Sequence, residues 1–243
     1  MSIKTSICYS LNFNQNKRTK NKIRFLIFHY TGMKREKSAI NKLTQIQSGV
    51  SSHYLIKKNG KVLILVPDLY IAWHAGNSSW KKFNSLNKHS IGIEIVNPGH
   101  DIGYKKFTVK QINSLINLSK LLIKKYRINK KNILGHSDIS PERKKDPGEK
   151  FPWEYLSKKN IGIWHNLQKK QLVKLRGKEC SQKIKLEFLK NLHKIGYSKK
   201  SINNVGKNKY LILVIKAFQR HFRPELIDGK IDQECLLISK NIR

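Results

Sequence analysis

A chain of 243 residues is longer than one average domain and far short of three, and at 39% hydrophobic it can bury a core, which excludes wholesale disorder. Fifty Lys and Arg against 15 Asp and Glu give a formal charge of +35. Yet 41 of these cations are Lys, spread along the chain beside abundant Ile and Asn. That pattern reads as AT-rich coding bias first and affinity for acidic polymers second, so no dedicated nucleic-acid partner is expected.

No run of 18 apolar residues offers a transmembrane helix, and residues 1–20 lack the apolar core of a secretory signal. Cys8, Cys180 and Cys235 form no CxxC and cannot all pair, which argues against a disulfide scaffold. A cytoplasmic location is expected, or a periplasmic or cell-envelope one if the chain is a processed form.

In chain order, residues 23–30 (IRFLIFHY) form a short, almost continuous apolar run ending at Thr31-Gly32, which predicts a buried strand. Residues 37–48 predict a helix with Ile40, Leu43 and Ile46 on one face and Gly49 beyond its end. Residues 52–56 and 61–66, joined across Asn59-Gly60, predict a hairpin. Residues 90–97 alternate, with Ile91, Ile93 and Ile95 on one face and Glu94 on the other.

The strongest helix signal covers 108–126. Thr108 and Gln111 stand at capping-box spacing, and Val109, Ile112, Leu115, Ile116, Leu122 and Ile123 make its apolar stripe. Residues 132–135 give a last short strand before a polar loop with Pro and Gly. Together these predict an α/β domain over 1–165, a mixed central sheet flanked by helices. A linker is expected over 166–181. Helical patterns at 182–195, 209–222 and 232–241 then predict a small all-α domain of three helices over 182–243.

Three side chains at strand ends or in loops carry metal-ligand chemistry: His29, His136 and, ten residues further on in DPG, Asp146. Two His and one carboxylate supply what a catalytic zinc site needs, three N/O ligands and an open position. Taken singly, a histidine near a strand end is more often structural. Glu94 is either a wet-face residue or a base aimed into a cleft. Lys144, in ERKKDPG, stands where an ammonium can meet a developing oxyanion, although in a chain of 41 Lys the ordinary role is solvation.

The string GHSDISPERKKDPG, with FLIFHYTG, SSHYLI, AWHAG and SIGIEIVNPG in this chain order, resembles the zinc-dependent N-acetylmuramoyl-L-alanine amidases of the AmpD/AmiD type, over about residues 9–164. YSLNFNQNKR resembles the opening stretch of the AmiD branch, with Leu11 where that branch has Pro. The resemblance implies the amidase and peptidoglycan-recognition fold, with one Zn2+ per chain held by His29, His136 and Asp146. Asp rather than Cys at 146 matches the bacterial branch.

The same resemblance makes Glu94 the catalytic acid and base and Lys144 the stabiliser of charge. It places Tyr30, His53, His74, Trp80 and Asn97 along the substrate cleft, and expects Asp138 to orient its loop rather than to ligate. The implied reaction is hydrolysis of the amide between N-acetylmuramic acid, its 1,6-anhydro form included, and L-alanine of peptidoglycan or muropeptides, in wall turnover or recycling. AFQRHFRPELIDGKID, preceded by LHKIGY, resembles the three-helix peptidoglycan-binding domain of wall hydrolases over about 182–240. There Phe218 and Phe222 read first as helix core, and Arg220, Arg223 and Asp228 as the polar residues that could touch ligand. The alternative is a non-catalytic peptidoglycan binder or sensor of the same fold, which has no need of all five zinc and catalytic positions.

Overall fold

The computed structural model describes residues 5–198 and 209–242. Its strands in chain order are β1 (Thr5–Ile7), β2 (Phe13–Asn14), β3 (Phe25–Tyr30), β4 (Tyr54–Ile56), β5 (Val62–Ile64), β6 (Ile71–Ala72), β7 (Ser79–Trp80), β8 (Phe83–Asn84), β9 (Ser90–Ile95) and β10 (Ile133–Gly135). Six of them form one mixed sheet in the order β1-β5-β4-β9-β3-β10, in which only β4 and β5 run antiparallel, as the hairpin across Asn59-Gly60. Gly60 is required at that turn. Its φ is +84°, and a Cβ there would fall 2.8 Å from the Lys110 carbonyl oxygen.

The helices are α1 (Glu36–Thr44), α2 (Val109–Tyr126), α3 (His136–Ile139), α4 (Trp153–Ser157), α5 (Lys169–Leu175), α6 (Gln182–Ile195), α7 (Lys209–Phe222) and α8 (Gln233–Asn241). In α2 the capping box is complete: Gln111 N donates to Thr108 Oγ1 (3.1 Å) and Thr108 N to Gln111 Oε1 (3.0 Å). Val109 departs from the expected stripe and is 75% exposed, because the cap turns the buried Gln111 inward, where its Nε2 donates to Val96 O. α1 ends at Thr44, short of the expected 48. Asn12 Nδ2 takes the carbonyls of Gln45 and Val50, Gln45 is extended, and Ile46 swings out to solvent in a separate 3-10 turn.

The period-2 alternation of the two central strands divides the core. Leu26 and Phe28 of β3 and Ile91, Ile93 and Ile95 of β9 pack against Ile112, Leu115, Ile116 and Leu122 of α2. Phe25 and Ile27 of β3 face the other way, into a core shared with Leu134, Trp80, Phe188 and Leu192 of α6 and Val214 and Phe218 of α7. The C-terminal helices therefore cover the second face of the sheet. Residues 166–181, expected as a linker, carry α5, whose Leu172 is buried in the same core and whose neighbour Arg176 pairs with Glu234 at 2.8 Å. A helix with one buried residue shows no apolar period, which is why KKQLVKL did not read as an element.

Beneath α2, Asp68 ties its own loop to β4 and to the end of α2. Its Oδ1 accepts from the Tyr54 hydroxyl (2.6 Å), and its Oδ2 from the Tyr126 hydroxyl (2.6 Å) and the Lys125 ammonium (2.8 Å). Burial pushes this carboxyl upward, but the bonds from Lys125, Tyr126 and Tyr54 outweigh it and hold the group below the usual carboxylate range. A depressed carboxyl contributes stability above its unfolded pKa, and loses that contribution as pH falls through the folded one. Asp68→Asn is therefore expected to cost about 1–3 kcal/mol at pH 7. In urea titrations at stepped pH the gap from wild type should close below about pH 4; a gap that persists in acid would refute the ionic role.

Candidate active site

β3 and β9 are parallel and in register, with His29 opposite Glu94. Both side chains point to the face of Phe25 and Ile27, at the carboxyl ends of their strands. β10 pairs with the far side of β3 and delivers His136 at the first residue after its end. The loop that follows returns so that Ser137 N donates to Asp146 O (2.8 Å).

Three atoms converge as a result. His29 Nδ1 lies 2.9 Å from His136 Nδ1, and each lies 3.1 Å from Asp146 Oδ2. All three residues are buried. Burial and the neighbouring His136 hold the His29 imidazole down to about 4.

The donor set fits a metal ion. His136 Nε2 faces the Ala75 carbonyl (3.2 Å), which only accepts, so its proton sits on Nε2 and Nδ1 is a bare lone pair. Two imidazole nitrogens and a carboxylate oxygen thus crowd one point, an arrangement that a cation relieves. A triangle with edges near 3 Å leaves points about 2.0–2.2 Å from all three atoms just off its plane, the bond lengths of zinc to N and O ligands.

A cavity of about 490 Å³ opens on this cluster, lined by Tyr30, His74, Glu94, His136, Lys144 and Asp146 among others. Glu94 Oε2 is buried without a hydrogen-bond partner. Burial first, and then the Asp146 charge, push its carboxyl up to about 8, against the opposing pull of Lys144. A carboxyl in that state exchanges a proton near neutrality. Lys42, Arg143 and Lys145 also line the cavity and make its rim cationic.

Three residues expected along the cleft lie elsewhere. His53 is fully buried, with Nδ1 accepting from Gly92 N (3.0 Å) and Nε2 facing Tyr70 O, and so works inside the sheet. Trp80 is 2% exposed and packs edge-on against Tyr197, because α6 and Gly196 cover it. Asn97 staples the loop after β9, accepting from Gly99 N and donating to Lys105 O.

Asp138 holds its loop as expected, accepting from Gly135 N and His221 Nδ1 at 2.8 Å and from the Tyr197 hydroxyl at 2.7 Å. Two of these partners come from the C-terminal helical region. Arg223, one of that region's polar candidates, is buried in ion pairs with Asp232, Asp228 and Glu234.

A second clamp was not read from the sequence. The Tyr30 hydroxyl meets His100 Nδ1 (2.8 Å), His100 Nε2 meets Glu149 Oε2 (2.9 Å), and Tyr104, stacked on His100, donates to Pro147 O (2.6 Å). These contacts bind the loop after β9 to the loop that carries Asp146. The only available signal was a histidine and a tyrosine in a glycine-containing loop, which has no period to read.

The family model for N-acetylmuramoyl-L-alanine amidase matches residues 19–149. The N-acetylmuramoyl-L-alanine amidase AmiD of Escherichia coli (strain K12) is 38% identical over 232 residues, 90% of this chain and 82% of that protein. The structure is similar to that of E. coli AmiD in complex with the substrate anhydro-N-acetylmuramic acid-L-Ala-D-gamma-Glu-L-Lys. That likeness has a TM-score of 0.79 at 35% identity and covers 94% of this chain and 91% of the other. AmpDh3 of Pseudomonas aeruginosa in complex with anhydromuramic pentapeptide gives a TM-score of 0.78 at 30% identity, over 96% and 97% of the two chains.

Proposed function

The chain belongs to the N-acetylmuramoyl-L-alanine amidase family, and from that premise we propose that it hydrolyses, with one bound Zn2+, the amide between N-acetylmuramic acid and L-alanine in peptidoglycan or muropeptides, the 1,6-anhydro form included. The observation that carries this reading is the convergence of three metal-ligand donor atoms beside Glu94, whose Oε2 is buried without a partner, in one cavity. His29, His136 and Asp146 would hold the ion. Zinc bound there supplies Lewis acidity, polarising the scissile carbonyl and acidifying water.

The chain's own residues do the rest. Glu94, ionised, accepts the proton of the attacking water. It then returns that proton to the alanine nitrogen, which departs only as an amine. The Lys144 ammonium faces the cavity and offsets the negative charge that grows on the carbonyl oxygen. Lys42, Arg143 and Lys145 suit a substrate whose peptide carries carboxylates, and this attraction weakens as salt is added. The anhydro sugar end is included because two similar structures hold anhydromuramyl peptides.

The test is mass spectrometry of products after incubation with mixed anhydro and reduced-end muropeptides. Free peptides beginning with L-alanine, lost on adding a chelator, are the expected result. Intact muropeptides from zinc-loaded protein would turn the reading to a binder or sensor.

A further inference from the structure

We infer that His74 is a positioning residue: backed by Ser90, it fixes the proton of His29 on Nε2 and so presents the His29 Nδ1 lone pair to the metal pocket, an inference that rests on the zinc reading above. The argument starts at a backbone carbonyl. Ser90 Oγ lies 2.6 Å from Leu86 O, and because a carbonyl only accepts, the hydroxyl's one proton is committed there. The same oxygen therefore meets His74 Nε2, 3.3 Å away, as an acceptor, and that nitrogen carries the proton. A neutral imidazole protonated at Nε2 has its lone pair on Nδ1, which stands 3.0 Å from His29 Nε2. His29 donates from Nε2, and its Nδ1 is left bare at the centre of the site. Ser90, His74 and His29 are all buried, so solvent does not compete for any link.

Two further features serve the same end. Gly92 sits in the central strand, where a missing side chain gives up packing. A Cβ there would fall 2.4 Å from His74 Cγ, so the strand makes room for the ring. Asn87 Oδ1 accepts from both His74 N (3.1 Å) and Ala75 N (2.7 Å), pinning the backbone beneath the ring. The Ala75 carbonyl takes His136 Nε2. One pinned dipeptide therefore orients both histidine ligands from outside, through a ring on one side and a carbonyl on the other.

The test measures zinc affinity of the full chain by competition with a chromophoric chelator, beside the proton positions of the histidines in long-range 1H–15N spectra. His74→Leu should bind zinc about 10–100-fold more weakly, the usual cost of removing a group that orients a ligand. His74→Asn, whose Oδ1 can replace Nδ1 as acceptor, should recover most of that loss, and Ser90→Ala should fall between the two. The wild-type spectrum should show His74 protonated at Nε2, which needs no variant to fold. A proton on His74 Nδ1, or a folded His74→Leu that binds zinc like wild type, overturns the inference alone. A wild-type chain that takes up no zinc overturns the metal reading and this inference with it.

Discussion

Replacing Glu94 by Gln is expected to leave zinc binding intact and to lower kcat by about 10²–10⁴-fold, the range contributed by a positioned general acid and base. Gln keeps the shape of the side chain, but it turns one acceptor oxygen into an NH2 donor and removes the charge and the proton exchange. Asp146, the other buried carboxylate at the cavity, is committed to the three-donor cluster with His29 and His136. The pH profile sharpens the test. A base works as its anion, so wild-type kcat should rise with pH through the Glu94 pKa. That value lies near 8 in the metal-free site, raised chiefly by burial, and a cation at the cluster draws it lower. The zinc-loaded enzyme should accordingly show an acid limb below about 8 that the residual activity of Glu94→Gln lacks. A variant with near-wild-type kcat would remove Glu94 from the chemistry.

What the sequence disclosed follows from what local patterns can encode. The apolar run before Thr31 and the Ile alternation around Glu94 are local, and β3 and β9 appear where those patterns lie. That His29 stands opposite Glu94 is not local. It depends on which strands are neighbours in the sheet and in which register, and neither strand's own spacing records that. The two-faced reading of Glu94, wet surface or cleft, was open for the same reason, and is resolved by the sheet order. Trp80 shows the converse error. An aromatic flanked by Ser79 and Lys81 looks available to a ligand until α6 is laid over it, and no pattern near Trp80 announces that cover. His100, Glu149 and Tyr104 escaped because loops carry no period, and their roles exist only where two loops meet. Asp138 shows the reach of the C-terminal helical region, since Tyr197 and His221 complete the hydrogen bonds of a residue two positions from His136.

Asp146→Ala is expected to abolish stoichiometric zinc and, with it, turnover, more completely than the loss of Glu94. Removing one of three donors leaves two histidine nitrogens, and a pair of neutral imidazoles neither balances the charge of a divalent cation nor fixes its open side. The folding energetics give a readout independent of catalysis. On the proposed reading zinc binds the native arrangement, whose donors are brought together from β3, from the end of β10 and from the loop beyond it, and the unfolded chain has no such site. The wild-type chain should therefore melt higher with zinc than with chelator, by about 2.7 kcal/mol of stability at free zinc a hundredfold above Kd. In Asp146→Ala that zinc-dependent shift should vanish. Its chelated form should stay folded, because the sheet and its two apolar faces do not depend on the cluster. A variant that still melts higher with zinc would show that other donors hold the ion, and the three-ligand assignment would fail even if its activity were lost.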